Sequence, residues 1–335
     1  MAHKICFIGG DGVGPELVAH ARRVLDALGV SYEGTEASAG YACYQKNGTP
    51  IPDATIEAAR NSDAIMFGAV TTPPNIPNYV SAIVTLRKAL DLYANVRPCR
   101  SYPNVPCLRQ DVNLVIVREN TEGMYSGRER REGDTAIAER VITRAGSERI
   151  LRFAYDYAER NGRKKVTFVH KANVLRETCG LFREVALEVA EQHAGIITGE
   201  FLVDAMAMRL IKQPQEFDVI VTTNMFGDIL SDEAAQIVGG LGMAPSGSYG
   251  EKHALFEPTH GSAPKHAGRD YANPCATLLS LKMLLEHIGE NKAAARLDGA
   301  IMRVLSEGRV LTADIGGKAK TGEMVDAIMG AIKNS

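Results

Sequence analysis

Hydrophobic residues along the chain fall into two kinds of run, and the two kinds alternate. Short runs rich in β-branched residues are typical of buried strands, whereas longer runs with a helical period are typical of amphipathic helices. The predicted strands cover residues 4–9, 63–70, 112–118, 165–170 and 217–223. The predicted helices cover residues 15–28, 53–61, 81–92, 146–160, 180–193, 228–238, 276–288 and 292–306. This alternation predicts an α/β fold with a largely parallel sheet.

Two irregular stretches indicate where the chain crosses between domains. The first runs from Arg97 to Leu108 and contains several prolines, and the second is the glycine-rich stretch 239–250. A chain that crosses twice predicts one domain built from both termini and a second domain inserted between them. Residues 126–144 place a polar turn between two alternating runs, which predicts a protruding hairpin. This arm is either a clasp for a partner subunit or a solvent-exposed loop.

Composition excludes several classes of protein. Of the 335 residues, 45% are hydrophobic and 23% are charged, which is ordinary for an enzyme. The net charge of −2 implies no general attraction to nucleic acid or to an anionic membrane. No apolar run approaches the roughly 18 residues that a membrane-spanning helix needs. The six cysteines are scattered without a Cys-x-x-Cys pair, which favours reduced thiols. We therefore expect a cytoplasmic protein without nucleic-acid or membrane partners.

The most informative segment is residues 224–232, Asn-Met-Phe-Gly-Asp-Ile-Leu-Ser-Asp. On a helix, the spacing of four places the carboxylates of Asp228 and Asp232 on one face, about 6 Å apart. Two like charges at that distance repel each other, so we expect a cation between them, and hard oxygen ligands suit Mg²⁺ or Mn²⁺. A solvated acidic face is the alternative. The apolar residues around the pair indicate a largely buried helix, in which carboxylates need partners.

Basic residues and two candidates for proton transfer lie near the predicted strand ends. Arg87 lies in a helical run, Arg97 follows that run, and Arg118 ends a strand. Each guanidinium can bind a carboxylate through two hydrogen bonds. Tyr125 and Lys171 follow strand ends and are able to transfer protons. Each basic residue taken singly would be a surface charge. Together with the acidic pair, they predict a site for a small polycarboxylate bound to Mg²⁺.

Two glycine-rich segments are candidates for nucleotide binding. The first, Gly9 to Glu16, follows a strand and opens a helix, but Pro15 occupies the place of the third glycine of a Gly-x-Gly-x-x-Gly fingerprint. The second, residues 257–274, has small residues that would let backbone amides approach a phosphate. Lys265 and His266 add positive charge to this second segment. A plain surface loop is the alternative for it.

Six motifs occur in a characteristic order and spacing along essentially the whole chain. They are Gly10-Asp-Gly-Val-Gly14, Leu92-Tyr-Ala-Asn-Val-Arg97-Pro98, Arg118-Glu-Asn-Thr-Glu122, His170-Lys-Ala-Asn-Val174, Asn224-Met-Phe-Gly-Asp228-Ile-Leu-Ser-Asp232 and His260-Gly-Ser-Ala-Pro264. Together they resemble the β-decarboxylating dehydrogenases of 3-substituted malates, the isocitrate/isopropylmalate dehydrogenase family. This family also includes the homoisocitrate and tartrate dehydrogenases. A chance match to all six motifs is negligible.

The resemblance implies two α/β domains with a cleft between them, and not a conventional Rossmann domain. A large cofactor-binding domain would combine residues 1–95 and 240–335. A small domain, residues 96–239, would carry the dimer interface and a clasp arm at about 126–144. The implied assembly is a homodimer with shared active sites, or a tetramer built from such dimers.

The resemblance also assigns roles to individual residues. The implied catalytic residues are Tyr125, Lys171 and Asp204. The implied metal ligands, for Mg²⁺ or Mn²⁺, are Asp204, Asp228 and Asp232. The implied substrate-binding residues are Ser81, Val84, Arg87, Arg97, Arg118 and Asn173. The implied cofactor-binding residues are His260, Gly261, Ser262, Ala263, Pro264, Lys265, His266 and Asn273. Lys171 and Asp204 would come from the partner subunit.

The implied reaction is the oxidative decarboxylation of a 3-substituted malate to a 2-oxo acid and CO₂. Lys171 would take the proton of the C2 hydroxyl as hydride leaves for the nicotinamide. The resulting β-keto acid would lose CO₂ with the divalent cation acting as a Lewis acid. Tyr125 would then help to protonate the enol, while the arginines hold the carboxylate that leaves.

The substrate's third substituent is left open by the family. The residues just before the first arginine contact this group, and the apolar Ile83 and Val84 favour an isopropyl group. The stretch 126–144 and the loop 71–79 look more like homoisocitrate-type enzymes. We therefore rank homoisocitrate first, 3-isopropylmalate second and isocitrate third.

The nicotinamide nucleotide is the other open choice. Relatives that use NAD carry an acidic residue after Ala-Pro, where this chain has Lys265 and His266. A cation there can pair with a 2′-phosphate, which favours NADP. NAD remains the alternative, because residues 311–317 lack the tyrosine and arginine that NADP-dependent isocitrate enzymes use. A Mg²⁺-dependent phosphotransferase or aldolase would be a different class. A non-catalytic regulatory subunit is disfavoured, because the catalytic side chains are all present.

Overall fold

The structure is a computed structural model that describes residues 2–76 and 79–334. Pro77 and Asn78, two residues of the loop 71–79, lie outside the described residues. The strands are β1 (His3–Gly10), β2 (Tyr32–Ala37), β3 (Ala64–Ala69), β4 (Ala94–Arg100), β5 (Asn113–Glu119), β6 (Glu129–Glu132), β7 (Thr135–Ala138), β8 (Lys165–His170), β9 (Ile197–Leu202), β10 (Val219–Thr222), β11 (Pro245–Tyr249) and β12 (Ala254–Pro258). The helices are α1 (Gly14–Leu28), α2 (Tyr41–Asn47), α3 (Asp53–Arg60), α4 (Ala82–Ala89), α5 (Arg144–Arg160), α6 (Thr178–Glu191), α7 (Val203–Lys212), α8 (Asn224–Ile237), α9 (Cys275–His287), α10 (Asn291–Glu307) and α11 (Thr321–Lys333).

The chain divides into two compact units. The first unit consists of Met1–Leu92, Ser101–Gln110 and Val238–Ser335, and the second consists of Tyr93–Arg100 and Asp111–Ile237. The stretch from Arg97 to Leu108, interpreted above as a crossing segment, is therefore divided. It begins in β4 of the second unit and continues in the first unit from Ser101.

In the first unit the strands lie in the order β2-β1-β3-β12-β11. The first four are parallel, and β11 is antiparallel to β12. Burial of apolar side chains is the main force that holds such a sheet to its helices. Ile65 and Phe67 of β3 pack in one cluster with Leu86 of α4 and Leu255 of β12. In α1, the apolar stripe that includes Leu17 is buried.

In the second unit the strands lie in the order β4-β5-β10-β8-β9. The last four are parallel, and β4 is antiparallel to β5. The carboxyl ends of β5, β10 and β8 therefore meet at one edge of the sheet, which is where ligands bind in open α/β sheets. Arg118 ends β5, α8 begins directly after β10, and Lys171 follows β8. The sheet thus gathers three of the predicted site segments.

The prediction of an α/β fold with mostly parallel strands is confirmed, and every predicted helix and strand has a counterpart. The structure adds elements that the periodicity did not predict, among them β2, β4, β9, α7 and α11. β2 and β9 are mostly solvent-accessible, so they lack the apolar run that marks a buried strand. β4 contains Pro98, a residue that is disfavoured within sheets, so its sequence does not have the pattern of a strand.

The hairpin predicted at 126–144 is present. β6 and β7 pair antiparallel, with Glu129 opposite Ala138, and nearly all of their residues are exposed. The role of this hairpin as a clasp stays a prediction. Among the described residues, no helix has both the length and the apolar character needed to cross a membrane.

Candidate active site

The acidic pair lies in the middle of α8, because this helix begins at Asn224 and not at 228 as predicted. Gly227 allows the helix to approach β5. A Cβ atom at Gly227 would lie 2.7 Å from the Cβ and Cγ atoms of Arg118. Asp228 and Asp232 lie one helical turn apart, with Asp228 partly buried and Asp232 exposed.

Two buried arginines supply the positive charge that was expected between the carboxylates. Arg97 Nη1 lies 3.1 Å from Asp232 Oδ1, and its Nη2 lies 3.4 Å from Asp228 Oδ1. Arg118 donates to the same oxygen of Asp228. The two arginines are 8% and 3% exposed. Buried charges need such partners, so β4 and β5 are tied electrostatically to α8.

Polar residues that the sequence did not single out hold these arginines in place. Asn224 Oδ1 accepts from Arg118 Nε at 3.0 Å and from Nη2 at 2.7 Å. Ser231 Oγ lies 2.7 Å from Arg97 Nη1, and Asn95 Oδ1 accepts from Arg97 Nε at 2.8 Å. Asn224 and Ser231 lie inside the motif that contains the acidic pair. Their helical phase relative to Asp228 was the one signal that pointed to them.

Burial and charge act in opposite directions on Asp232. Partial desolvation raises the pKa of this exposed carboxyl, the Arg97 guanidinium lowers it, and the charge of Asp228 raises it again. The pKa remains above its usual value. A second cation beside the pair would relieve the repulsion between the two carboxylates.

Tyr125 joins the same cluster. Its hydroxyl donates to Asp228 Oδ2, and its ring lies 5.1 Å from the guanidinium carbon of Arg118. Burial, followed by the contact with Asp228, raises the pKa of the phenol. The group is therefore a neutral O–H at neutral pH. The side chain is 45% exposed, so a substrate can reach it.

Lys171 and Asp204 form a separate pair in the second unit. Lys171 Nζ lies 2.5 Å from Asp204 Oδ1, and this contact lowers the pKa of the carboxyl. Among the described residues, no group of three ligands within 4.8 Å of one another includes Asp204, Asp228 or Asp232. The structure therefore brings Asp228 and Asp232 together but does not add Asp204 within one chain. Asn173 is exposed in the turn that follows Lys171.

The donor set fits a hard divalent cation. Asp228 and Asp232 offer carboxylate oxygens from one helix face, and both side chains are accessible to solvent, at 32% and 59% exposure. Mg²⁺ and Mn²⁺ are held by a few carboxylates, with the remaining ligands taken from water and substrate. In this state the arginines share these oxygens, so a bound cation would compete with them for Asp228 and Asp232.

In the first unit the two glycine-rich segments contact each other. Val13 N donates to Ser262 O at 2.9 Å, and Thr71 Oγ1 lies 2.6 Å from Ser262 Oγ. A Cβ at Gly12 would lie 1.8 Å from Ser262 O, so only glycine fits this contact. The first segment therefore supports the second.

A cavity of about 380 Å³ lies beside the second segment, within the size range of ligand pockets. His260, Ala263, Tyr271 and Asn273 are among its lining residues. The Nε2 atom of His260 is buried and has no hydrogen-bond partner among the described residues. Burial lowers the pKa of His260, so its ring is neutral. An unpaired polar nitrogen in an apolar pocket fits an aromatic, hydrogen-bonding ligand such as a nucleotide base.

The remaining cofactor candidates lie around this cavity. Gly261, Pro264 and Lys265 are exposed, whereas Ser262 is buried. His266 stacks on Tyr271 with ring centroids 4.8 Å apart. Lys265 is thus positioned on the surface of the loop and not in its core.

Ser81, Val84 and Arg87 belong to the first unit. Ser81 directly precedes α4, and Val84 and Arg87 lie on it, all three of them partly exposed. Arg87 Nη2 lies 2.7 Å from Glu257 Oε1 of β12. The other two arginines that were expected to bind substrate, Arg97 and Arg118, belong to the second unit.

The family model described as isocitrate/isopropylmalate dehydrogenase matches residues 4–328 of the chain. The chain belongs to the isocitrate/isopropylmalate dehydrogenase family. The predicted family is therefore confirmed. As a member, the chain is an NAD(P)-dependent β-decarboxylating dehydrogenase, an oxidoreductase that catalyses a metal-dependent oxidative decarboxylation.

Individual relatives of the family carry different names. The chain is 50% identical to a homoisocitrate dehydrogenase of Methanocaldococcus jannaschii over 98% of both chains. It is 48% identical to a 3-isopropylmalate dehydrogenase of Methanothermobacter thermautotrophicus over 97% of both chains. The crystal structure of isocitrate dehydrogenase from Methylococcus capsulatus superposes with a TM-score of 0.95 at 47% identity, covering 99% of both chains. This superposition confirms the predicted family fold.

Proposed function

We propose that the protein is a homoisocitrate dehydrogenase that uses the cluster around Asp228 to oxidise and decarboxylate its substrate. The observation that carries the proposal is that Asp228 accepts hydrogen bonds from Arg118 and Tyr125 at once. A guanidinium that can bind a carboxylate (Arg118), a proton donor (Tyr125) and a proposed metal ligand (Asp228) thus contact one another. The homoisocitrate dehydrogenase at 50% identity supports this substrate.

3-Isopropylmalate is the second candidate substrate. The 3-isopropylmalate dehydrogenase at 48% identity supports it, and so do the apolar side chains of Ile83 and Val84 on α4. An apolar surface favours an isopropyl group over a carboxylate, which needs hydrogen-bond donors. Isocitrate ranks third.

The side chains supply the proton transfers of the proposed mechanism. Lys171, oriented by Asp204, would act in its neutral amine form and take the proton of the C2 hydroxyl, while a bound NAD(P) would supply the acceptor for the hydride. Arg97 and Arg118 hold the carboxylate that leaves as CO₂. Tyr125, whose raised pKa keeps it protonated, then gives a proton to the enol carbon. A Mg²⁺ or Mn²⁺ bound by Asp228 and Asp232 would supply Lewis-acid stabilisation of the negative charge that develops.

We propose that the active form is a homodimer in which Lys171 and Asp204 serve the partner's active site. Asp204 stands on α7, and large apolar side chains are exposed on both α7 and α8, beside charged ones. Met208 and Ile211 of α7 are 69% and 59% exposed, and Ile229 of α8 is 59% exposed. Large apolar side chains exposed on two helices that contact each other are typical of a subunit interface. A second copy of the chain would cover them.

We propose NADP as the preferred nucleotide and NAD as the alternative. The candidate nucleotide loop has two basic side chains, Lys265 and His266. Neither the Lys265 side chain nor the ring of the adjacent Pro264 can accept a hydrogen bond from a ribose hydroxyl. A 2′-phosphate supplies the negative charge that Lys265 can bind.

One set of assays tests the reaction, the substrate and the nucleotide together. Homoisocitrate, 3-isopropylmalate and isocitrate are each offered with NADP or NAD, in Mg²⁺, in Mn²⁺ and in excess chelator, and nicotinamide absorbance is followed. We expect the highest kcat/KM for homoisocitrate with NADP, and no turnover in chelator. A clear preference for 3-isopropylmalate would replace the first substrate with the second. If neither NADP nor NAD is reduced with any of the three acids, the proposed function itself is contradicted.

A further inference from the structure

Three potential metal ligands without a role in the proposed reaction lie together in the first unit. Glu16 and His20 are one turn apart on α1, and Asp270 lies in the loop before α9. One ligand atom from each side chain lies within 4.8 Å of the other two. An imidazole with two carboxylates is a donor set that binds zinc and other transition metals. The acidic pair on α8, by contrast, offers only oxygen.

One of the two oxygens of the Glu16 carboxylate lacks a partner in this state, although the residue as a whole is partly exposed. Its Oε1 atom is buried and accepts no hydrogen bond from the described residues. A buried carboxylate oxygen without a donor or a cation costs free energy, because it has lost its hydration without compensation. A cation between Glu16, His20 and Asp270 would remove that cost.

The carboxylate of Asp270 is held in place by a hydrogen bond from the backbone. Its Oδ1 accepts from Gly322 N at 2.7 Å, and Thr321 N donates to its backbone oxygen at 3.1 Å. Asp270 also adopts a positive φ of 53°, which is uncommon for a residue other than glycine. Hydrogen bonds that orient a ligating carboxylate are typical of metal sites, because they reduce the ordering that binding requires.

Arg23 competes with a metal for His20. Arg23 Nη1 lies 3.1 Å from His20 Nδ1, and the same guanidinium pairs with Asp326 at 2.7 Å. Arginine can only donate, so Nδ1 accepts and the proton of the neutral ring lies on Nε2. A metal on either nitrogen therefore requires Arg23 to release the ring.

We propose that Glu16, His20 and Asp270 form a second metal site, which binds a transition-metal dication such as Zn²⁺ when Arg23 withdraws from His20. The site includes a residue of the candidate nucleotide segment 257–274, because Asp270 directly precedes Tyr271, which lines the cavity. A bound metal ties this end of the loop to α1, whose preceding residue, Val13, already holds Ser262.

Direct binding of zinc to the full-length protein tests the site. The predicted metal ligands on α8 are first removed by D228N and D232N, and chelator-treated protein is titrated with Zn²⁺ by calorimetry. We expect one zinc per chain in this background. Adding E16Q or H20Q should weaken the affinity at least tenfold, since each removes one of three ligands.

The matched control is H193Q. His193 belongs to a second His/Asp/Glu group, with Asp156 and Glu159, in which both carboxylates are exposed and Glu159 Oε1 lies 2.9 Å from His193 Nδ1. The affinity of the H193Q variant for zinc should equal that of the background protein. R23Q should bind zinc several-fold more tightly, because the competing guanidinium is gone. Thermal unfolding of the metal-free variants verifies that each is folded. E16Q is the variant on which the test mainly depends, because glutamine has the shape of glutamate and lacks its charge.

Three results would overturn the proposal. They are a background protein that binds no zinc, an E16Q variant that binds zinc as tightly as the background, and an H193Q variant that loses as much affinity as H20Q. None of these results bears on the reaction at Asp228.

Discussion

Lys171 Nζ lies 2.5 Å from Asp204 Oδ1 within a single chain. The two residues that we assign to the partner's active site are therefore paired with each other. Lys171 lies on the turn after β8, and Asp204 lies in the first turn of α7. This contact fixes the direction of the Lys171 nitrogen, and in a dimer both groups would arrive at the second active site together. The pairing leads directly to the first prediction.

Replacing Lys171 by methionine should remove turnover and leave substrate binding in place. Methionine keeps the length of the side chain and cannot take a proton, and loss of a general base typically lowers kcat by about 10²–10⁴-fold. Steady-state kinetics give kcat, and calorimetry gives the affinity for the acid. Lys165→Met is the control, because Lys165 Nζ contacts the backbone oxygen of Glu216. A K171M enzyme with a near-normal kcat would show that Lys171 is not the base.

Replacing Tyr125 by phenylalanine should lower kcat about 10²-fold or more with little change in KM. The variant retains the ring that stacks on Arg118 and loses the hydroxyl that donates to Asp228. The control is Tyr44→Phe, whose ring packs against Tyr41. Equal turnover of Y125F and the parent enzyme would remove Tyr125 from the mechanism.

Replacing Asp232 by asparagine should weaken binding of Mn²⁺ at least tenfold and should raise the metal concentration needed for half-maximal rate. Asparagine preserves an acceptor for Arg97 and removes one of the two negative charges on α8. Titration of chelator-treated protein with Mn²⁺ measures the affinity. Glu233→Gln alters the neighbouring residue of the same helix and should leave that affinity unchanged. Full activity of D232N at trace metal would contradict the assigned ligand.

Replacing Lys265 by aspartate should reverse the nucleotide preference. An acidic residue repels a 2′-phosphate and accepts from a ribose hydroxyl, so the ratio of kcat/KM for NADP to that for NAD should fall at least tenfold, or by about 1.4 kcal/mol. Lys252→Asp makes the same charge change at an exposed position outside this loop. If K265D keeps the parent ratio, Lys265 does not read the 2′-phosphate.

Stability should fall as the pH falls below about 6.5, the usual pKa of histidine. Partial desolvation of the His287 ring lowers its pKa in the folded protein, although the residue as a whole is exposed, so below that pH the unfolded chain binds the proton more readily and protonation favours unfolding. The ring packs 5.6 Å from Phe256, centroid to centroid. Thermal unfolding between pH 5 and 7.5 should show a smaller loss of Tm in H287Q than in the parent. An equal loss in both proteins would remove His287 as a contributor.

Much of the framework was predictable from periodicity. The stripe on α1, the buried strands β3, β5, β8 and β10 and the helix of the acidic pair all follow from apolar spacing that reports which face is buried. The periodicity failed for β2 and β9, where exposure removes that signal. It also missed α7, a short helix in which the buried Met206 and Leu210 are interspersed with the exposed Met208 and Ile211.

The candidate site was predictable in its parts and not in its pairing. The spacing of Asp228 and Asp232 required a positive charge between them, and the sequence offered Arg97 and Arg118 as cations. Their contact with the acidic pair joins residues more than 100 positions apart. No local pattern encodes it.

The sequence by itself determined the family, the α/β class and the shared helix face of the two aspartates, because these depend on motif order and local geometry. The tertiary structure alone decided which charges meet and why Gly12 must be glycine. Parallel packing of β5, β10 and β8 brings their carboxyl ends to one edge, and the backbone of Ser262 leaves no room for a side chain at Gly12. Such contacts depend on distance in space, which the order of residues along the chain does not record.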